Sequence, residues 1–227
     1  MKMPYTDQIK ERARCLIFDL DGTVLDSMDL WNRVDVEFLS KRGFVVTDDY
    51  TDVVKSVNID DAAAYTKERF GLPESPKEIM DEWNSMVSYA YAHEVKLKDG
   101  VFEYLREAKE EGFILAFATA LSREHAARAL SNNKVLDLFS CGLTLEDIGK
   151  RADKTDPRIY LAVSDITGIP PSETIVFEDV PAAIEGAVKG GFMTCAVYDR
   201  IGSGTEGNWE NMAQKADYYV KNWINLI

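Results

Sequence analysis

The chain predicts an α/β fold, a parallel sheet covered by helices on both faces, with an all-helical domain inserted after the first strand. Three observations predict it. An apolar run, Leu16-Ile-Phe18, stands near the start and reads as a buried strand. From Asp99 onward, short apolar runs alternate with amphipathic helical segments, as in sheets buried on both faces. Between the two, no strand-like run interrupts residues 28–94, where apolar residues recur at helical spacing. The expected domains are therefore 1–27 with 95–227 for the α/β core, and 28–94 for the insertion.

Each element has its own signal. In the insertion, Leu30, Val34, Phe38 and Leu39 fall on one helical face, and Gly43 ends a helix over 28–42. Helices follow over 50–57, 60–70 and 77–93, with the turn Gly71-Leu-Pro-Glu-Ser-Pro76 between the last two. In the core, a helix over 101–111 closes at Gly112, and Phe113-Ile-Leu-Ala-Phe-Ala118 is a strand. A helix over 123–132, a strand over 139–145 and a helix over 158–167 come next. The remainder reads as a strand over 174–177, a helix over 182–189, a strand over 192–197 and an edge strand over 218–220.

Composition excludes several classes. The 227 residues suffice for one substantial core with a modest insertion. A formal charge of −13 opposes a nucleic-acid partner, which needs a basic footprint. No apolar run approaches the ~20 residues of a membrane span, and the N-terminus carries no apolar secretory segment. Cys15, Cys141 and Cys195 are far apart and form no CxxC pair, so they read as buried, reduced thiols of a cytoplasmic protein. His93 and His125 stand without a second ligand nearby and read as ordinary helix residues.

The candidate chemistry starts at the end of the first strand. Residues two apart on a strand share a face, so Asp19 and Asp21 project together, and two adjacent carboxylates need a cation, a shared proton or a reaction. Alone, the Asp-Leu-Asp-Gly stretch reads better as a turn shaped by Asp21. Thr119 ends the next strand, Lys154 precedes a helix, and Glu178-Asp179 ends a later strand. Singly these are a strand-end hydroxyl, a solvated loop charge and helix-capping acids. In this order, each beyond a strand's carboxyl end, they converge on one crevice of an α/β sheet. Such a density of carboxylates predicts a bound Mg²⁺, with Lys154 and Thr119 left to hold an anionic substrate.

Phe18-Asp-Leu-Asp-Gly-Thr-Val-Leu-Asp-Ser27, Thr119, Lys154-Thr-Asp-Pro157 and Phe177-Glu-Asp-Val-Pro together resemble the motifs of haloacid dehalogenase superfamily phosphohydrolases with a helical cap. The resemblance is to the β-phosphoglucomutase-like and phosphoglycolate-phosphatase-like members, over nearly the whole chain. It implies a Rossmann-like core and a Mg²⁺-dependent phosphatase acting through an aspartyl-phosphate. It also implies roles: Asp19 as nucleophile, Asp21 as general acid and base, and Thr119, Lys154 and the backbone N–H groups near Gly22 and Ala120 as phosphate-binding groups. The metal ligands would be the Asp19 and Asp179 carboxylates and the Asp21 carbonyl, with Glu178 in or beside the shell. Asp21 excludes dehalogenation, which has no alcohol to protonate.

The resemblance also gives the cap a part in choosing the substrate, through the turn over 56–61, where Asn58, Asp60 and Asp61 stand. Asp60 and Asp61 read equally as acids opening the next helix. A mutase would need basic residues for a second phosphate, and only Arg123 and Lys55 offer themselves. The expected substrate is therefore a small phosphomonoester of a sugar or polyol, and the expected protein a monomer or weak dimer with no nucleic-acid or membrane partner. A β-phosphoglucomutase-type isomerase and a non-catalytic binding protein are the alternatives. Asp99, Thr155 and Arg158 depart from the family's usual residues without removing a catalytic group.

Overall fold

The apolar runs become six parallel strands: β1 (Cys15–Phe18), β2 (Ile114–Thr119), β3 (Cys141–Thr144), β4 (Thr174–Glu178), β5 (Met193–Val197) and β6 (Tyr218–Val220). The structure is a computed structural model describing residues 9, 11–54, 57, 59–149, 154–203 and 206–226. The strands hydrogen-bond in the order β3-β2-β1-β4-β5-β6. From β1 the chain first builds outward to β3, then returns to lay β4 on the other side of β1. That reversal leaves a crevice beyond the carboxyl ends of β1 and β4, where α/β sheets place their ligands.

Strand alternation divides the sheet between two cores. Cys15 and Ile17 face one side, with Ala116, Ala118 and Val176, where Ile159, Tyr160, Val163 and Ala187 cover them. Phe18 faces the other side, stacked on Phe177 at 4.6 Å between ring centroids and edge-on to Tyr104 at 6.3 Å. Each such side chain, removed fully from water, contributes about 1.5–3 kcal/mol.

The chain divides into two compact units, Met1–Met28 with Val95–Ile227, and Asp29–Glu94. The second unit is helical: α1 (Leu30–Ser40), α2 (Asp48–Val54), α3 (Ile59–Phe70) and α4 (Pro76–His93). Leu30, Val34, Phe38 and Leu39 are the buried face of α1, and Phe38 meets Trp83 of α4 edge-on at 5.6 Å. Ser75 and Glu78 form a capping box at the start of α4, with Pro76 at its first position. Asp60 and Asp61 lie exposed in the first turn of α3, as helix-opening acids do. Lys55, Ser56 and Asn58 lie outside the described residues.

The first unit adds α5 (Val101–Glu110), α6 (Arg123–Asn132), α7 (Leu145–Ile148), α8 (Arg158–Thr167), α9 (Pro181–Lys189) and α10 (Glu206–Lys215) to the sheet. Two of these, α7 and α10, are not anticipated by the sequence pattern. Cys141 also differs from expectation, because β3 is an edge strand and leaves it half-buried while Cys15 and Cys195 are buried; all three thiols are free. Among the described residues no helix is long and apolar enough to cross a membrane.

Candidate active site

The chain leaves β1 through a tight loop. Asp19 extends the ladder by one residue, its N–H donating to Phe177 O at 3.0 Å. Leu20 O then accepts from the N–H groups of Thr23, Val24 and Leu25, at 3.3, 2.9 and 2.8 Å. Gly22 has φ +75°, and a Cβ there would collide with the Asp179 carboxylate. The glycine thus serves both the left-handed turn and the close approach of Asp179. Its own N–H donates to Leu25 O at 3.0 Å, which closes the turn.

Three carboxylates and one ammonium meet beyond the strand ends. Asp19, Glu178 and Asp179 are all buried, and each can offer a ligand oxygen within 4.8 Å of the others. The alternation that aligns Ile17 with Val176 carries Asp19 and Glu178 to the same face. Lys154 Nζ donates there to Asp19 Oδ1 and to Glu178 Oε1, the latter at 2.7 Å. The Tyr160 hydroxyl, from α8, donates to the same Glu178 oxygen at 2.9 Å. On the other flank, Thr23 Oγ1 donates to Asp179 Oδ1 at 3.5 Å. Asp21 is half-buried, and the Ser27 hydroxyl donates to its Oδ1 at 2.5 Å.

Burial and mutual repulsion dominate the electrostatics. Burial, then the neighbouring Asp19, push the Glu178 carboxyl up to about 7, with Lys154 pulling the other way. Asp179 is raised well above the usual range by burial, Asp19 and Glu178. Burial alone would lower Lys154, but Asp19 and Glu178 outweigh it and hold its ammonium above the ordinary value. The residues present fit a divalent cation. Glu178 Oε2 and Asp179 Oδ2 are buried acceptors with no hydrogen-bond partner, a costly state that an oxygen-seeking cation would relieve.

Thr119, Ala120 and Arg123, also expected in the site, belong to the same unit. Thr119 closes β2, two residues beyond the Phe117 that pairs with Phe18, and its buried Oγ1 accepts the Leu121 N–H at 3.1 Å. Its hydroxyl proton is thereby left to donate. Ala120 is exposed just past it. Arg123 is ion-paired to Asp147, which also accepts the Thr144 N–H at 2.8 Å. Lys154 is seated by α9: a Cβ at Gly186 would collide with the Lys154 carbonyl oxygen. Tyr160 is the site residue that sequence reasoning misses. Its signal is a tyrosine on the buried face of α8, whose hydroxyl must find a partner.

A sheet of this topology with its ionisable groups gathered at the switch point is an enzyme's architecture. The chain belongs to the haloacid dehalogenase-like hydrolase family, whose sequence profile matches residues 16–197. It is 24% identical to the protein CbbY of Rhodobacter capsulatus, over 86% of this chain and 91% of that one. It is 26% identical to validoxylamine A 7'-phosphate phosphatase of Streptomyces hygroscopicus subsp. limoneus, over 77% and 81%. Against a phosphorylated carbohydrates phosphatase of Thermotoga maritima the identity is 25%, over 78% and 81%. Among solved structures, a Thermotoga maritima protein named for β-phosphoglucomutase superposes with TM-score 0.81 at 21% identity, covering 94% of this chain and 96% of that one.

Proposed function

We propose that the protein is a Mg²⁺-dependent phosphatase of a small phosphomonoester, a sugar or polyol phosphate, acting through an aspartyl-phosphate on Asp19. The observation that carries the reading is the Asp19 carboxylate, buried at the end of β1 against Lys154 and beside Glu178 and Asp179. A carboxylate so placed can serve as nucleophile toward phosphorus, where catalysis is mainly positioning and charge neutralisation.

A carboxylate oxygen of Asp19 attacks phosphorus, and the ester P–O bond breaks in line. Asp21 protonates the departing alkoxide, with the Ser27 hydroxyl holding its carboxyl in place. Asp21, now a carboxylate, takes a proton from the water that attacks the aspartyl-phosphate, releasing phosphate and restoring Asp19. Lys154 neutralises charge on the transferring group, and the Thr119 hydroxyl and the Ala120 N–H donate to its oxygens. Asp19, Glu178, Asp179 and the Asp21 carbonyl would hold Mg²⁺, which supplies charge neutralisation for the phosphoryl group.

The phosphatase names among the relatives support hydrolysis over isomerisation. Arg123, a candidate for a second phosphate, carries an ion pair to Asp147 on an exposed side chain, which a mutase would have to break. The substrate-selecting roles expected of Asn58, Asp60, Asp61 and Arg123 stay part of this proposal. The test is phosphate release from sugar phosphates, polyol phosphates and phosphoglycolate, with and without Mg²⁺, by wild type and Asp19→Asn. Mg²⁺-dependent release that disappears in the variant is expected. Activity surviving in Asp19→Asn would overturn the mechanism, and isomerised sugar phosphate without free phosphate would move the reading to a mutase.

A further inference from the structure

The last sequence motif carries Asp179, and the structure surrounds that carboxylate with a second set of residues from two distant segments. The loop after β5 turns back on itself. Asp199 Oδ1 accepts the N–H groups of Ile201 and Gly202 at 2.7 and 2.9 Å, and the Asp199 N–H donates to Ser203 Oγ at 3.0 Å. That turn delivers Gly202 against Asp179 so closely that a Cβ would overlap the carboxylate. Ser203 Oγ donates to the Asp179 backbone carbonyl at 3.3 Å.

Lys98 locks the loop. Its ammonium pairs with Asp199 Oδ2 at 2.8 Å and donates to Tyr198 O at 3.0 Å, and both side chains of the pair are nearly buried. Lys98 is itself tied to the loop that leaves β1. Its N–H donates to Val24 O at 2.9 Å, Asp26 N–H donates to Lys96 O at 2.9 Å, and Leu25 bridges Leu97. The two loops that touch Asp179, one through Gly22 and Thr23, the other through Gly202 and Ser203, are therefore joined by one lysine. A buried ion pair is weak evidence of stability, since burial costs each charge its hydration. Here the pair sits where a carboxylate with a buried, unpartnered oxygen must be aimed.

We infer that the Lys98–Asp199 pair is a positioning device for the cation site. It fixes the loop over 198–203 so that Gly202 and Ser203 hold the Asp179 carboxylate in the cluster with Asp19 and Glu178. Neither residue touches the substrate or the reacting atoms. The inference rests on reading Asp19, Glu178 and Asp179 as cation ligands, and groups that orient metal ligands control affinity for the metal.

The test measures Mn²⁺ binding directly, by the electron paramagnetic resonance signal of free Mn²⁺, with turnover as a separate readout. Lys98→Met and Gly202→Ala are each expected to weaken Mn²⁺ binding about tenfold or more, and Lys98→Arg to restore most of it. In turnover, the Mg²⁺ concentration for half-maximal activity should rise in parallel, while KM for p-nitrophenyl phosphate at saturating Mg²⁺ stays within about twofold of wild type. Gly202→Ala leaves the ion pair intact and adds one methyl against the carboxylate, so it carries the test even where Lys98→Met fails to fold. Mn²⁺ binding within about twofold of wild type in folded Lys98→Met or in Gly202→Ala would overturn the inference, as would a wild type that binds no Mn²⁺. A wild type that binds Mn²⁺ through Asp179 yet releases no phosphate would sink the proposed function and leave the positioning role standing.

Discussion

At the scale of single residues, the site is a problem of too many acceptors for too few donors. Lys154 and Tyr160 both donate to one oxygen of Glu178, while its other oxygen and Asp179 Oδ2 have no partner. The arrangement holds Glu178 by one edge and keeps the other edge for a cation. Tyr160→Phe removes one hydrogen bond to a charged group and leaves the ring's packing against Phe192 in place. It is expected to lower stability by about 2 kcal/mol, a typical value for such a bond, read from the urea midpoint of the metal-free protein. The same variant should lose less stability with Mg²⁺ bound, because the cation then holds the carboxylate. Equal losses in both states would mean that Tyr160 does not support Glu178. Asp19, Asp21, Glu178 and Asp179 stand out in the sequence as candidates because charge at the end of an apolar strand is costly unless a cation or a reaction uses it, whereas Lys154, in a loop before a helix, stands out only in their company. Tyr160 was not, because a tyrosine on an amphipathic helix is first a core residue. Lys98 and Asp199 were not, because their partnership spans a hundred residues and leaves no local pattern.

At the scale of elements, legibility followed apolar periodicity and failed where the periodicity is thin. The expected helices over 123–132 and 158–167 coincide with α6 and α8, each carrying clear apolar faces. Helix α10 is not evident in the pattern because polar residues and a glycine fill most of it, although Trp209, Met212 and Ala213 on it and Ala216 just past it pack together at helical spacing. Helix α7 is a single turn, too short for any period, and its sign is the capping box of Thr144 and Asp147. Strand order is likewise absent from the sequence, since pairing is non-local. One element-level contact does explain a motif. Gly186 lets α9 lie against the Lys154 carbonyl, so the helix that follows the Glu178-Asp179 motif also seats the lysine. Gly186→Ala is expected to cost about 1–3 kcal/mol, the usual cost of overpacking, and to reduce kcat with the substrate KM nearly unchanged. Denaturation and steady-state kinetics check both, and unchanged kcat in a destabilised variant would confine Gly186 to packing.

At the scale of the whole molecule, the net charge of −13 and the buried carboxylates act in the same direction as pH rises, and they can be separated. The Glu178 carboxyl is pushed up to about 7 from an ordinary 4.5, so the folded protein keeps a proton that the unfolded chain releases within that window. Stability of the metal-free protein must then fall as pH climbs through the window, because the folded state binds more protons there. Asp179, also raised, adds to the fall. Asp199 works oppositely but elsewhere: its depressed carboxyl contributes stability above the ordinary 3.8 that is lost only as pH drops through its lower folded value. A divalent cation needs the carboxylates ionised, so Mg²⁺ should stabilise little at acidic pH and progressively more above about 7. The expected result is a Tm of the metal-free protein that declines between about pH 5 and 8, with a Mg²⁺-induced rise that grows over the same range. Surface self-repulsion alone could produce the decline, but salt screens exposed charges and leaves buried ones nearly untouched. Repeating the titration at high NaCl should therefore flatten only the surface contribution. A decline that vanishes with salt, or a Mg²⁺ effect independent of pH, would show that Glu178 and Asp179 do not hold the protons this site requires.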